Sequence, residues 1–426
     1  MDETAVARKS EYGKPNEVLD IDAVANSIND LPEAILEHIL SFVPIEDAVR
    51  TCVLSKNWRY LWTSYPNLEL VEWAFSGREQ FTNFVDRVLV LQSSSRIKRL
   101  VLSCRDLGDA SRVNLWVSTA VKRNVEDFTV HLSIIPGNFI LPHCLFSSAT
   151  LTRLNLCILG ALKLPCRIWF PNLKVLHLEY ITFVDKRSTE QLLSSPVLEE
   201  LTLRYCTWDN LETLTIRTPM LKILTIHDED FDCPYDFHLH SCQVSICGNN
   251  LKSIHCISPF FNDYQVKKSC SLLEVRINVP HWRLSRTRQV AYRLHKLLKV
   301  ICSVQKLMLS STAVKLVLSS VDELCSCLPV FPNLNVDKDV AILDPAPHCF
   351  GSHLRQIKLY DLFLPSAKEV LVLESLLKHA MVLEKFMKYY KWLPSERTTQ
   401  EIIQEMLLQI RCGSKSLEIA VRPSRV

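Results

Sequence analysis

Glycine is sparse in this chain, with 8 among 426 residues, and no two stand within a few positions of each other. A G-x-G-x-x-G fingerprint and a Walker-type loop are therefore absent, and with them the backbone cradle such glycines build around a phosphate. Long hydrophobic runs are missing too: no stretch of about 18 apolar residues occurs, which argues against a membrane span. The opening segment, MDETAVARKSEYGKPNEVLD, is polar and lacks the apolar centre of a secretory leader. Neither sign of charge is in excess. Lys and Arg number 49 against 46 Asp and Glu, a net +3, which gives no electrostatic reason to expect a nucleic-acid or membrane partner. G-x-S-x-G, H-E-x-x-H and the kinase signatures do not occur. Dispersed catalytic residues leave no such trace, but nothing in the chain requires them, and no cofactor is expected.

Cysteine, in contrast, is plentiful at 16. With no leader in view, the expected location is the nucleus or cytoplasm, where thiols stay reduced. The cysteines then read mostly as small buried hydrophobes. Residues 227–256 gather several His, Cys and Asp, but they hold no Cys-x-x-Cys or His-x-x-x-His pair. A polar loop with buried cysteines fits them better than a zinc site. Cys325-Ser326-Cys327 is no stronger as a metal signal.

Residues 1–24 carry few apolar anchors and no periodicity, so a disordered tail is expected. Asp30 suits an N-cap, with Glu33 three positions on as in a capping box, and Pro32 falls in the first helical turn. Leu31, Ile35, Leu36, Ile39, Leu40 and Val43 recur at helical spacing until Pro44 stops the helix. A second short helix fits 46–54, around Ala48, Val49, Cys52 and Val53. A third, capped by Ser55, presents Trp58, Leu61 and Trp62 on one face. A unit this small buries little surface, so part of its apolar side is expected to meet another domain or another protein.

The run from Leu31-Pro32-Glu33 to Phe42-Val43-Pro44 resembles the first half of an F-box, and Glu46–Trp62 resembles the second. The plant form of that motif ends V-L-S-x-x-W-x-x-L-W, and residues 53–62 match it at every fixed position. The resemblance implies docking on a Skp-type adaptor and through it on a cullin scaffold. It carries Leu31, Pro32, Leu36 and Ile39, then Val53, Leu54 and Trp58, onto the adaptor-binding surface. Packing of the three helices against one another is the alternative role. It is the preferred one for Ile35, Leu40 and Leu61, whereas docking is preferred for Leu31 and Pro32 at the helix start.

Beyond this module the chain repeats an apolar-x-x-apolar-x-apolar pattern, the strand signature of a leucine-rich repeat. Copies stand at Ile97/Leu100/Leu102, Val125/Phe128/Val130, Leu151/Leu154/Leu156, Leu173/Leu176/Leu178, Leu198/Leu201/Leu203, Leu221/Leu224/Ile226 and Leu251/Ile254/Cys256. Weaker ones stand at Leu272/Val275/Ile277 and Val304/Leu307/Leu309, and a separate one at Leu354/Ile357/Leu359. The first nine starts are 28, 26, 22, 25, 23, 30, 21 and 32 residues apart, as in a divergent solenoid. One copy cannot bury its apolar face alone, so stacked copies are expected to share a parallel sheet. Leu211/Leu214/Ile216 is read as one additional strand. Cys206 is expected to pack inside. Arg153, Asn155, His177, Glu200, Thr202 and Thr225 should project from the sheet, either as a protein-binding surface or as plain solvated residues.

Residues 345–422 change character after Pro345 and Pro347. Strands at 354–359, 381–389 and 417–421 alternate with helices at 368–380 and 395–410, an order that resembles the plant FBD module. A basic stretch containing Arg283, Arg286, Arg288, Arg293, Lys296 and Lys299 interleaves with Val290, Leu294, Leu297 and Leu298. It reads as the solvated face of an amphipathic helix, or else as a patch for an acidic or phosphorylated target.

The expected fold is thus α/β: a tail (1–24), a three-helix F-box (25–72), a leucine-rich-repeat solenoid (90–340) and a small FBD-like module (345–422). The function this implies is that of a non-catalytic substrate-recognition subunit of an SCF-type ubiquitin ligase, with a protein target on the repeats. A repeat scaffold acting outside a ligase is the alternative.

Overall fold

The computed structural model describes residues 28, 31–92, 97–105, 108–133, 139–208, 211–228, 241–267, 271–280, 287–300, 304–310, 312–313, 316, 353–360, 377, 381–390 and 417–423. They fall in two units, Met1–Tyr65 and Pro66–Val426. The expected tail, Asp30, Arg283 and Arg286, and almost all of the helices expected at 368–380 and 395–410 lie outside the described residues.

In the first unit, helix α1 (Glu33–Leu40) follows Pro32, which takes the N-cap position, and α2 (Ile45–Arg50) follows Pro44 in the same way. Both prolines are extended, with ψ of 144° and 150°, and neither helix has a side-chain cap. The chain then tightens. Residues 51–53 form a 3-10 turn, and the expected third helix is replaced by turns at 56–60 and a 3-10 segment, Leu61–Ser64. Hydroxyls account for this. Thr51 Oγ1 donates to Ala48 O at 2.7 Å, Thr63 Oγ1 to Tyr60 O at 2.6 Å and Ser64 Oγ to Leu61 O at 2.8 Å. Such side chains compete for the carbonyls a regular helix would use. Leu36, Leu40, Ile45, Ala48, Trp58, Leu61 and Trp62 are buried, and both α1 and α2 pack on the 61–64 turn.

The second unit is built on strands. In chain order they are β1 (Asn67–Val71), β2 (Arg99–Cys104), β3 (Asp127–Leu132), β4 (Arg153–Leu162), β5 (Val175–Phe183), β6 (Glu200–Arg204), β7 (Thr207–Trp208), β8 (Thr213–Arg217) and β9 (Ile223–His227). There follow β10 (Gln243–Cys247), β11 (Ser253–Ile257), β12 (Asp263–Val266), β13 (Glu274–Asn278), β14 (Lys306–Ser310), β15 (Gln356–Tyr360), β16 (Lys385–Tyr390) and β17 (Glu418–Pro423). The main sheet runs β1-β2-β3-β4-β5-β6-β9-β11-β13-β14-β15-β16-β17, with β7 beside β5. Its neighbouring strands pair in parallel. Residues 67–71, assigned to the helical module from sequence, are its first strand. β15, β16 and β17 extend the same sheet beyond β14.

All ten repeat triplets are buried. Their register makes two continuous apolar rows. Leu100, Phe128, Leu154, Leu176, Leu201 and Leu224 are successive partners in one, and Leu102, Val130, Leu156, Leu178, Leu203 and Ile226 in the other. Each such side chain contributes about 1.5–3 kcal/mol by leaving water. The second row reaches Leu359 and then Lys388, which is fully buried at a position its neighbours fill with aliphatics. Cys206 is buried, 3.5 Å from Leu178 O, and burial pushes its thiol up to about 12. Cys104, Cys242 and Cys256 are buried as well, whereas Cys166 is exposed.

The segments returning between strands carry helices α3 (Arg78–Leu91), α4 (Ala110–Lys122), α5 (Lys186–Leu193) and α6 (Thr287–Val300). Asp109 caps α4 through Ser111 N, and Asp185 caps α5 through Ser188 N. The extra strand expected around Leu214 and Ile216 is β8. It belongs to a separate parallel sheet, β12-β10-β8, made wholly of return segments. Helix α5 packs by β8 and α6 by β12.

Candidate functional site

Two surfaces stand out, one on each unit. On the helical unit, the seven adaptor-binding candidates divide by burial. Leu31, Pro32, Val53 and Leu54 are exposed, Val53 at 83% and Leu54 at 62%, and Ile39 is half-buried. Leu36 and Trp58 are buried, at 2% and 3%. Those two side chains pack inside the unit, whereas the sequence reading puts them on the docking surface. Ile35, assigned to packing, is instead 46% exposed. Phe42 and Tyr60 are exposed too, and His38 sits edge-on to Phe42 at 4.9 Å. The 3-10 geometry after Arg50 turns Val53 and Leu54 outward. A helix continuing to 54 would have placed them differently, so sequence periodicity alone could not sort them.

The second surface is the open face of the main sheet, where residues between the apolar rows alternate outward. Thr129, Asn155, His177, Thr202, Thr225, His255 and Arg276 are successive register partners along its middle row. Of the six residues expected there, Arg153 is exposed, while Asn155, His177, Glu200 and Thr225 are half-buried. Thr202 is buried at 7%, closed over by its neighbours. His177 Nε2 lies 3.0 Å from Glu200 Oε1, and Arg153 Nε lies 3.7 Å from Asp127 Oδ2. Lys306 pairs with Glu274 at 2.9 Å, and the Arg276 guanidinium lies over the Tyr360 ring at 5.3 Å. The face therefore mixes both signs of charge with aromatic and hydroxyl groups, a composition suited to a protein ligand.

At the strand ends of this face, Tyr180, Tyr205 and His227 form an aromatic ladder. Tyr180 and Tyr205 stack at 4.7 Å, and Tyr205 and His227 meet at 4.8 Å. Burial, and then the charge of Arg204, hold the His227 imidazole below its ordinary range. His255 is lowered first by burial, with Glu274 opposing. Next to His227, Asp228 Oδ2 accepts from Ser258 Oγ at 2.9 Å and from the Tyr264 hydroxyl. Asn262 Oδ1 accepts from Cys242 N at 3.0 Å. This network joins the end of β9 to β12 of the small sheet. Burial outweighs these hydrogen bonds and pushes the Asp228 carboxyl up to about 6. No sequence motif marks it.

On α6, Val290, Leu294, Leu297 and Leu298 are buried as the spacing requires. Arg293, assigned to a solvated face, is buried and donates to Phe260 O, Phe261 O and Ser241 Oγ. Lys296 pairs with Asp263 at 2.9 Å. Among the described residues, no cluster of His, Cys, Asp and Glu is arranged to hold a metal ion, and no helix is long and apolar enough to cross a membrane.

The F-box domain family model matches residues 28–70, and the model described as FBD-associated F-box protein At5g56370, LRR repeats, matches residues 113–235. The chain is 32% identical over 332 residues to the F-box/LRR-repeat protein At4g14096 of Arabidopsis thaliana, covering 74% of this chain and 68% of that protein. It is 36% identical over 213 residues to the putative F-box/LRR-repeat protein At3g49150 of the same plant, 48% of this chain and 34% of the relative. With the putative F-box/FBD/LRR-repeat protein At3g59240, also from Arabidopsis thaliana, it shares 30% over 341 residues, 74% and 64% of the two chains. The chain thus spans about two thirds of the first and third of these relatives and a third of the second.

Proposed function

The chain belongs to the F-box/LRR-repeat protein family, and from that premise we propose that it is the substrate-recognition subunit of an SCF-type ubiquitin ligase. Its helical unit docks on a Skp-type adaptor, and the open face of its main sheet holds a target protein. The observation that carries this reading is the apolar surface left exposed by the helical unit: Leu31, Pro32, Ile35, Val53 and Leu54. Large aliphatics kept in water by a small helical unit mark a surface that a partner covers. Leu36 and Trp58 act behind that surface by fixing the helices.

The mechanism is proximity. Tethering the target beside a charged ubiquitin carrier raises its effective concentration there, so no catalytic group is asked of this chain. Nucleus or cytoplasm is the compartment where such a ligase works.

Binding of the purified protein to a Skp-type adaptor tests the reading, beside a Val53→Asp/Leu54→Asp variant. Both positions are exposed, so the variant keeps its fold. Tight binding by the wild type, lost in the variant, is the expected result. A folded wild type that ignores the adaptor leaves a repeat scaffold acting outside a ligase.

A further inference from the structure

The segment after β4, helix α5 with the turn that follows it, and strand β8 enclose a groove of about 500 Å³. It is built from return segments, not from the open face of the main sheet. Its volume is that of a site for a small ligand or a few residues of peptide. Trp169, Arg187, Glu190, Gln191, Ser194 and Arg217 are among its lining residues.

The walls are pinned before any ligand arrives. Glu190 Oε1 accepts from Thr215 N at 2.8 Å, Ser194 Oγ accepts from Arg217 N at 3.0 Å, and Trp169 N donates to Phe146 O at 2.9 Å. Among the described residues Glu190 is the one carboxylate on the lining, and it accepts from that backbone amide. Arg187 and Arg217 are exposed and form no ion pair among the described residues. Trp169 is 63% exposed. The Gln191 side-chain oxygen is enclosed and meets no donor among the described residues. Asp185 lies within electrostatic reach of Arg187, but two guanidinium groups against one described carboxylate leave the lining itself net positive, and guanidinium matches carboxylate and phosphate geometry.

We propose that this groove is a second ligand site, for an acidic peptide segment. One carboxylate or phosphate is held by Arg187 and Arg217, and a neighbouring apolar side chain lies on Trp169. The site stands whether or not the helical unit docks on an adaptor, because its test uses this chain alone.

The test takes the full-length protein and four degenerate peptide pools, each with one fixed residue: phosphoserine, glutamate, serine or lysine. At least one anionic pool should be retained about tenfold more than the serine pool, about 1.4 kcal/mol. The stronger of the two identifies phosphate or carboxylate as the source of charge. Arg187→Ala/Arg217→Ala should abolish the preference, and Arg187→Glu/Arg217→Glu should transfer it to a pool with fixed lysine, which unfolding cannot imitate. Equal retention of charged and neutral pools by the wild type, or an unchanged preference in either variant, overturns the proposal.

Discussion

The rings of Tyr180 and Tyr205 stack 4.7 Å apart and 23° from parallel, and both residues hold a left-handed backbone, with φ of 57° and 53°. That region disfavours any residue with a Cβ, so the stack is held against a backbone cost. Replacing Tyr205 by alanine loses the ring and keeps the strain, whereas glycine loses the ring and relieves it. Tyr205→Gly should therefore be less destabilised than Tyr205→Ala in urea melts. A double-mutant cycle with Tyr180→Ala should give about 0.5–1.5 kcal/mol of coupling. Zero coupling would show the two rings to be independent.

Burial divides the F-box residues into two kinds with opposite phenotypes. Trp58→Ala should cost about 3–5 kcal/mol, enough to melt a small helical unit. Leu54→Asp should leave the melting temperature of that unit unchanged and weaken adaptor binding. Differential scanning calorimetry beside adaptor titration separates the two, and equal stability loss in both variants would refute the division.

Asp228 makes stability pH-dependent in an unusual direction. Its folded carboxyl titrates at about 6, above the ordinary 3.8, so folding takes up a proton between those values. The stabilisation this gives is complete below about pH 4 and is lost as pH rises through about 6. Compared with Asp228→Asn, the wild type should lose relative stability between about pH 4 and 7. A urea midpoint difference that moves the other way would contradict the buried carboxyl.

Asp185 works with the opposite sign. Its carboxyl is held below 3.8, first by the Ser188 hydroxyl and then by the Ser188 backbone amide. Its contribution is therefore present above about pH 4 and lost on acidification through its folded value. Asp185→Ala should cost about 1 kcal/mol near neutrality and less in acid. Asp185→Asn, which still accepts a hydrogen bond, should recover most of the loss. No recovery would mean that the cap is not what stabilises α5.

Most of the main sheet is legible because its rule is local. An apolar triplet at fixed spacing names both the strand and its buried face, and Leu100 through Leu359 follow it. Lys388 breaks it, so β16 reads from sequence as a strand but not as a repeat. β10 and β12 offer only Val244 with Ile246 and Tyr264 with Val266, too few alternations to show against a polar background. Within the F-box, the motif located the unit but could not separate core from surface. Leu36 and Leu31 occupy equally apolar motif positions, and only the packing of α1 on the 61–64 turn tells them apart. The left-handed tyrosines carry no signal at all, since glycine is the residue a reader looks for at such a backbone.

The two apolar rows also separate what this chain must keep from what it is free to change. Register follows the inward residues of each strand, while most outward residues stay exposed or half-buried, Thr129 and Thr202 being buried exceptions. Open-face positions such as Asn155, His177 and Thr225 can be exchanged strand by strand while the framework stays intact. Lineages sharing this sheet can thus diverge in what they hold without re-solving how to fold.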